Sequence, residues 1–273
     1  MIVARAPATT ANIGPGFDCA GLALDLWNAV EIADGGEPDR EHLGVRAFSL
    51  LASPDGHTFT WRTPVPRERG LGSSAAVIAL GLVAGAAAAG VDADAERLLE
   101  LGLPLEGHAD NLAAALAGGA CLTWDGRIAR VADRVPADAV AVVPRESRVA
   151  TAASRAALPE AVPHADAAHT AGRAALLGAA IAAGSTPLFA AALDDRLHEP
   201  YRAADAPLLA RLRSEPPDGA IGVTLSGSGP TVVVWAVPGR GAACADKLRQ
   251  TLEDVDVLPL AASPTGAHAA TTG

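Results

Sequence analysis

Long uncharged apolar runs and shorter alternating segments follow one another along this chain. The run at residues 75–89 carries no charge and contains only Ala, Val, Leu, Ile and Gly, and it predicts a buried helix because Ala and Leu are strong helix formers. Gly90 follows this run, and a glycine just beyond a helix commonly ends it. Ser73 and Ser74 precede it, and serine is favoured at a helix N-terminus. The pattern therefore predicts a central helix that begins at or near these serines.

The other patterns predict helices and strands mixed along the whole chain. We expect a pair of strands within residues 21–32 and single strands at residues 2–6, 58–63, 120–124, 139–143, 221–225, 232–237 and 255–260. We expect further helices at residues 42–51, 110–117, 165–183 and 240–253. Two more helices are expected to end at Pro104 and at Pro200, since proline is a helix stop signal. The Ala/Thr/Gly-rich residues after 263 are expected to lack regular structure.

Composition narrows the class of protein. Half of the 273 residues are hydrophobic but only 3% are aromatic, which favours helices packed on sheets with small aliphatic side chains between them. The net charge of −10 argues against nucleic acid as a main partner, and the runs of apolar residues do not resemble a membrane span. Cys19, Cys121 and Cys244 are far apart and form no metal-ligand spacing. We therefore expect a reduced, cytoplasmic protein without disulfides.

The segment before the long helix is a candidate anion site. Residues 69–76 read RGLGSSAA, so a glycine-rich loop runs directly into a helix. The first turn of a helix has unpaired N–H groups and carries a partial positive charge, which together favour a phosphate. The lysine of a Walker A loop is absent from this segment. From these residues alone, an ordinary capped core helix remains the alternative.

Four segments together resemble the GHMP kinase superfamily, which includes galactokinases, homoserine kinases, mevalonate kinases and phosphomevalonate kinases. They are residues 7–18, residues 66–76, residues 106–111 with the Gly-Gly pair at 118–119, and residues 225–231. Within the superfamily the chain is most similar to the homoserine kinases. The resemblance implies an α+β GHMP kinase fold with an N-terminal half like ribosomal protein S5 domain 2 and a C-terminal ferredoxin-like half. We take these halves as residues 1–145 and 146–273, with a boundary in the segment 144–163.

The resemblance also implies an activity. Homoserine kinases transfer the γ-phosphoryl group of Mg-ATP to the side-chain hydroxyl of L-homoserine in threonine biosynthesis, and they are commonly homodimers. Two alternatives remain open: a kinase of another small hydroxylated metabolite, and a non-catalytic ATP-binding regulator.

Residues around the loop are assigned to the donor by this resemblance. For Mg2+ the expected ligands are Ser74 and Glu106, with Ser73 and Glu100 as rivals, since Mg2+ takes hard oxygen ligands and few carboxylates. The ATP-binding residues implied are Pro66, Arg67, Glu68, Arg69, Gly70, Leu71, Gly72, Ser73, Ser74 and Ala75.

The acceptor residues are also carried over from the resemblance. Arg173, on an otherwise apolar helix, and Arg202 are expected to bind the substrate carboxylate, because arginine binds carboxylates with two parallel hydrogen bonds. Asn12 and Asp18 are expected to hold the ammonium and polar end, and His108 to help fix the substrate. As isolated residues, Asn12 and Asp18 could simply be turn formers.

Catalysis is expected to need no strong base. Asn111 fills the slot in which mevalonate kinase relatives have an aspartate base, so the hydroxyl is positioned and loses its proton late. Arg173 would also offset charge in the transition state. Thr170, three residues before Arg173, is a poor base on pKa grounds.

Overall fold

A computed structural model describes residues 1–271, apart from the side chains at 151 and 152. Its first sheet is antiparallel, with the strand order β10-β1-β2-β4-β5, and β3 pairs with β2 outside that path. These strands are β1 (Ile2–Asn12), β2 (Gly16–Asp34), β3 (His57–Arg62), β4 (Ala120–Trp124), β5 (Arg127–Ala132) and β10 (His268–Thr271).

The second sheet is also antiparallel, with the order β7-β8-β6-β9. Its strands are β6 (Asp138–Pro144), β7 (Ala220–Leu225), β8 (Val232–Ala236) and β9 (Val255–Leu260). An apolar cluster that includes Leu22, Leu177, Phe189 and Trp235 joins this sheet to the first. The mixture of helices and antiparallel strands confirms the expected α+β class.

Helices cover both sheets. They are α1 (Leu43–Phe48), α2 (Ser73–Ala89), α3 (Ala95–Glu106), α4 (Ala109–Ala117), α5 (Thr151–Ala156), α6 (His164–Ala183), α7 (Thr186–Ala192), α8 (Glu199–Arg202), α9 (Pro207–Ser214) and α10 (Gly241–Thr251), with a 3₁₀ turn at Ala203–Asp205. None of the described helices has both the length and the apolar character needed to cross a bilayer.

The helix α2 is the central buried helix that the sequence predicts. It packs on β1 and between α1, α3 and α4. Two glycines let α1 approach it closely, because a Cβ at Gly81 would lie 2.1 Å from the carbonyl oxygen of Gly44 and one at Gly85 would lie 2.7 Å from that of Phe48. This packing fixes the direction of α2 and therefore the position of its N-terminus.

Two proline-based expectations are wrong. Pro104 lies inside α3, which continues to Glu106 and ends only at Gly107, a residue in the left-handed region with φ of 82°. Pro200 lies in the first turn of α8 and does not end a helix. A proline is tolerated there because the N–H that it lacks would have no partner within the helix.

The expectation of an unstructured tail after residue 263 is also wrong for the described residues. Strand β10 pairs antiparallel with β1, from Ile2 opposite Thr271 to Arg5 opposite His268. The hydrogen bonds to β1 and the packing of Ala269 against the apolar cluster around α2 provide the order that the composition does not indicate.

Neither sheet is confined to one side of the expected boundary at residue 145. Strand β6 lies before this boundary but belongs to the second sheet, and β10 lies after it but belongs to the first. The two-domain division stays a prediction.

Candidate active site

The loop before α2 adopts a conformation that glycine alone tolerates at two positions. Gly70 and Gly72 have φ values of 81° and 64°, in the left-handed region. A Cβ at Gly70 would lie 2.2 Å from the carbonyl oxygen of Ser226, and one at Gly72 would lie 1.8 Å from Thr9 Oγ1. The loop backbone is therefore wedged between β1 and the turn after β7.

The N-terminus of α2 opens into a cavity. Gly72 is the N-cap, and among the described residues no side chain caps this end. The backbone N–H of Ala76 bonds to the carbonyl of Gly72, which leaves the N–H groups of the preceding turn for a ligand. Gly70, Gly72, Ser73 and Ser74 line a cavity of about 250 Å³. This geometry is that of a phosphate site at a helix N-terminus.

Ser74 and Glu106 lie side by side in this cavity. Ser74 Oγ donates a hydrogen bond to Glu106 Oε2 at 2.7 Å. Burial raises the pKa of the half-buried Glu106 to about 7, and the bond from Ser74 opposes this rise. A partly desolvated carboxylate next to a hydroxyl is a pair of hard oxygen donors that fits Mg2+. Glu100, the rival ligand, pairs with Arg97 on the exposed face of α3.

No group of three or more His, Cys, Asp or Glu residues suited to a metal ion occurs within residues 1–271.

The rest of the segment 66–69 contributes less to the cavity than the loop does. Glu68 lines it, with a positive φ of 56°. The Arg69 guanidinium donates to the carbonyls of Pro144 and Arg145 and so ties the loop to the end of β6. Pro66 and Arg67 do not line the cavity. The side chains of Leu71 and Ala75 are fully buried in the core, so only their backbone could meet a nucleotide.

The turn between β1 and β2 holds one side of the cavity. Asn12 is buried and in the left-handed region, with φ of 70°. Its Nδ2 donates to the carbonyl of Gly227 at 3.0 Å, and its Oδ1 accepts from the N–H of Asp18 at 3.0 Å. Asp18 lines the cavity and Asn12 does not. Asn12 therefore connects Asp18 to the turn after β7.

Two arginines lie beside Phe17 on this side of the cavity. The guanidinium carbon of Arg202 is 5.2 Å from the centre of the Phe17 ring, and that of Arg155 is 5.5 Å from it. Both arginines line the cavity, and Arg155 also pairs with Asp18. Arg202 is 4% exposed, and burial lowers its pKa, with a further contribution from the Arg155 charge. Two cations close to one carboxylate form a site for a small zwitterion.

The structure does not bring Arg173 or Thr170 into this cavity. The face of α6 that carries Arg173 packs against α7, and the guanidinium donates to the carbonyl of Ala191. Thr170 is buried, accepts from the N–H of Arg196 at 3.0 Å and donates to Asp195 Oδ1 at 3.4 Å. The place expected for Arg173 beside Arg202 is occupied by Arg155.

Sequence reasoning missed Arg155 because it lies in the segment 144–163, which was interpreted as a domain boundary. The structure forms the short helix α5 there, and Ser154 Oγ donates to the carbonyl of Ser228 at 3.3 Å. This bond holds the helix over the cavity. The available signal was the position of Arg155 three residues before the Leu158-Pro159 pair, where the resemblance to homoserine kinases begins in this region.

The start of α4 forms the floor of the site. His108 is the N-cap, and burial, with the nearby Arg155 charge, lowers its pKa. Burial raises the pKa of Asp110 to about 6, while its Oδ1 accepts from the N–H of Asn111 at 2.7 Å. Asn111 Oδ1 accepts from Thr9 Oγ1 at 2.7 Å, so the amide orientation is fixed. His108, Asp110 and Asn111 all line the cavity.

Comparisons with known proteins agree with this geometry. Residues 41–119 match the family model of the GHMP kinases N terminal domain. A homoserine kinase of Streptomyces avermitilis is 41% identical, over 94% of this chain and 96% of its own length. One from Synechococcus sp. strain RCC307 is 35% identical, over 95% of this chain and 93% of its own length.

Solved structures show the same fold. A homoserine kinase from Cytophaga hutchinsonii superposes with a TM-score of 0.84 at 24% identity, covering 98% of this chain and 97% of that one. A mevalonate kinase superposes with a TM-score of 0.70 at 13% identity, covering 95% of this chain and 98% of that one. The resemblance seen in the four sequence segments is thus confirmed over nearly the whole chain, and the protein belongs to the homoserine kinase family of the GHMP kinases.

Proposed function

We propose that this protein transfers the γ-phosphoryl group of ATP to the side-chain hydroxyl of L-homoserine, forming O-phospho-L-homoserine and ADP in threonine biosynthesis. The observation that carries the proposal is that a phosphate loop, two arginines and a carboxylate line one cavity of about 250 Å³. An amino acid needs a cationic partner for its carboxylate and an anionic partner for its ammonium, whereas a sugar or an isoprenoid alcohol does not need both.

The donor is held by backbone groups. The N–H groups between Gly70 and Ala75 bind the ATP phosphates, and the dipole of α2 favours their charge. Ser74 and Glu106 hold Mg2+, which when bound neutralises negative charge that develops on the phosphates. Catalysis of phosphoryl transfer consists mainly of such positioning and charge stabilisation.

The acceptor is held by side chains. Arg155 and Arg202 bind the substrate carboxylate, and Asp18 binds its ammonium group. Arg155 exchanges its present partner Asp18 for the substrate carboxylate, which frees the Asp18 oxygen for the ammonium. Asn12 acts through Asp18 and the turn at Gly227. Arg173 has no role in this proposal, because its guanidinium bonds to the carbonyl of Ala191 on α7.

The hydroxyl oxygen attacks the γ-phosphorus in line with the bridging oxygen, and the bond to ADP breaks. Asn111 is a neutral amide that takes no proton, so its role is to position the substrate hydroxyl. The hydrogen bond from Thr9 fixes the orientation of the Asn111 amide. The hydroxyl proton passes late to an oxygen of the transferred phosphoryl group. Thr170 is bonded to Asp195 and Arg196 and takes no part. Ionisation of Glu106, whose pKa is raised to about 7, can itself make kcat rise near neutrality, so a rise that persists in Glu106→Gln would contradict this base-free step.

The test is ADP release by the purified protein with Mg-ATP and a panel of acceptors. The panel contains L-homoserine, D-homoserine, L-serine, L-threonine, mevalonate, shikimate and galactose. Release with L-homoserine alone is the expected result. Release with mevalonate or galactose and not with L-homoserine would reassign the two arginines, and ATP binding without release for any acceptor would favour a regulator.

We further propose that the protein works as a homodimer in the cytoplasm, with domains at residues 1–145 and 146–273. Sedimentation equilibrium should give about twice the chain mass of 27.3 kDa, and limited proteolysis should cut first within residues 144–163. A mass equal to that of one chain would contradict the dimer, and first cuts elsewhere would contradict this boundary.

A further inference from the structure

Arg202 is an almost fully buried cation whose orientation needs a cause. Its Nη1 lies 3.1 Å from His198 Nδ1 and donates to the carbonyl of Gly227 at 3.3 Å. Its Nε is buried and has no hydrogen-bond partner among the described residues. A long side chain with an unpaired buried N–H must be fixed by its other contacts, since otherwise it would turn to satisfy that group.

His198 provides the shorter of the two hydrogen bonds of Arg202 Nη1. Its ring is fully buried, and its Nε2 lies 2.8 Å from the carbonyl oxygen of Gly14. A carbonyl only accepts, so Nε2 carries the proton, and the tautomer follows from this partner. Nδ1 then has a free lone pair and accepts the hydrogen bond from Arg202 Nη1. The imidazole is therefore neutral and acts as a fixed acceptor.

The imidazole is itself held in place by its surroundings. Its ring stacks on Phe17, with 5.0 Å between ring centres and an interplanar angle of 22°. Asp195 is buried, and its Oδ2 accepts from the N–H groups of His198 at 2.8 Å and Glu199 at 2.9 Å. Asp195 also accepts from Thr170, so α6 is connected to this network.

We infer that His198 is a positioning residue: its neutral imidazole, held by Gly14 and Asp195, orients the Arg202 guanidinium toward the carboxylate of the acceptor. The inference rests on the proposed function, because it assigns Arg202 to the substrate carboxylate. Within that function it adds to the acceptor site a residue that lies behind Arg202 and does not line the cavity. It also gives Thr170 a place in the network that supports Arg202, outside the cavity.

Two amide variants separate this role from simple packing. Asn at position 198 can offer an oxygen near the place of Nδ1, so it can still accept from Arg202. Gln can offer an N–H near the place of Nε2, so it can still donate to Gly14 but does not accept from Arg202. Both replace a stacked aromatic ring by an amide, so each is the matched control of the other.

The experiment measures kcat and KM for L-homoserine and KM for ATP in the wild type, His198→Asn and His198→Gln. We expect His198→Gln to raise the KM for L-homoserine about 10- to 100-fold, the range of one hydrogen bond to a charged group. We expect His198→Asn to stay within about 3-fold of the wild type, and the KM for ATP to change little in both. Equal losses in the two variants, or a larger loss in His198→Asn, would overturn the inference.

A double-variant cycle tests whether His198 acts through Arg202. In an Arg202→Gln background, the further change His198→Gln should leave the KM for L-homoserine unchanged, because the oriented group is already lost. Effects that multiply would show that His198 acts independently and would overturn the inference. If the wild type releases no ADP with L-homoserine, the proposed function fails, an outcome visible before any variant is made.

A measurement on the wild type keeps the inference testable if a variant does not fold. The ¹⁵N spectrum of the His198 side chain at neutral pH should show a protonated Nε2 and an unprotonated Nδ1. A protonated Nδ1 would contradict the inference, because Arg202 would then have no acceptor there.

Discussion

The donor and acceptor sides of the cavity are built in different ways. The donor side uses mainly the backbone of one continuous segment, residues 70–75, together with Glu106. The acceptor side uses the side chains of Asp18, His108, Arg155 and Arg202, which come from distant parts of the chain. The first depends on local backbone conformation, and the second on tertiary packing that brings charged groups together and keeps them in place.

The two sides also differ in what they require from their neighbours. The donor loop needs glycines at 70 and 72, because Ser226 and Thr9 leave no room for a Cβ. The acceptor side needs partners for buried charged groups, which are costly to bury when they are left unpaired. His198 is such a partner for Arg202, although it is not among the residues that line the cavity.

The largest expected effect is on the donor side, where one side chain has a role that the backbone does not replace. Glu106→Gln keeps the shape of the side chain but removes the charge that Mg2+ needs, and we expect kcat to fall about 100- to 1000-fold. Steady-state kinetics with saturating L-homoserine measures this loss. Glu100→Gln, on the exposed face of the same helix, is the matched control and should change kcat by less than about 2-fold.

The next effect concerns stability and belongs to the acceptor side. Burial, with the Arg202 charge, lowers the pKa of His198 to about 4, while Asp195 and Asp18 oppose this shift. An unfolded histidine has a pKa of about 6.5, so between pH 6.5 and 4 the unfolded chain binds a proton that the folded chain does not. The contribution of His198 to the free energy of unfolding should therefore decrease as the pH falls through this range, by roughly 3 kcal/mol. Glu106 and Asp110 contribute with the opposite sign, because burial raises their pKa values.

Urea unfolding of the wild type and His198→Asn between pH 7 and pH 4.5 measures this contribution. On acidification, the free energy of unfolding of the wild type should fall relative to that of the variant, because Glu106 and Asp110 contribute equally to both proteins. Parallel losses in the two proteins would mean that His198 is not buried in its neutral form.

A smaller effect distinguishes the two candidate arginines of the acceptor side. Arg155→Ala should lower kcat/KM for L-homoserine about 10- to 100-fold, because a charge-assisted hydrogen bond to the substrate is lost. Arg173→Ala should lower it by less than about 3-fold, since Arg173 bonds only to a backbone carbonyl. The reverse order would restore Arg173 to the site and remove Arg155 from it.

The smallest expected effect lies where the two sides meet. Thr9 is buried, its hydroxyl donates to Asn111, and its backbone N–H bonds to the carbonyl of Leu71 at 3.2 Å. Thr9→Val removes only the first of these bonds, so we expect kcat to fall about 3- to 10-fold, with both KM values nearly unchanged. Thr9→Ser, which keeps the hydroxyl, should behave like the wild type. A change in the KM for ATP alone would place the effect in the loop and not in Asn111.

The donor side could be predicted from the sequence because its determinants are adjacent in the chain. Two glycines, two serines and a long apolar run indicate both the helix start and its ligand. The assignment of Glu106 as a magnesium ligand rests on the family resemblance, and in the structure Glu106 accepts a hydrogen bond from Ser74, 32 positions away in the chain. The strand and helix classes were also largely predictable, since the periodicity of apolar residues is a local property.

The acceptor side could be predicted only in part, because long-range packing decides which arginine faces the cavity. Arg173 and Arg155 each lie on an alanine-rich segment, and nothing within either segment shows that α6 turns its arginine toward α7. Likewise, Pro200 reads as a stop signal unless it is known that a new helix begins at Glu199. In the network through His198, Asp195 and Arg202 are neighbours in the sequence, but Gly14, which fixes the tautomer, is 184 positions away from His198 and joins them only in the folded chain.

Strand β10 has a consequence for how the chain is made. It forms an edge of the first sheet next to β1, although the ribosome produces it after both sheets' other strands. While translation proceeds, β1 therefore has an exposed edge along Ile2 to Arg5, and such edges invite pairing with other chains. Completion of this sheet must wait until residue 271 has left the exit tunnel, so the edge of β1 stays unpaired for the whole time that the rest of the chain is being made.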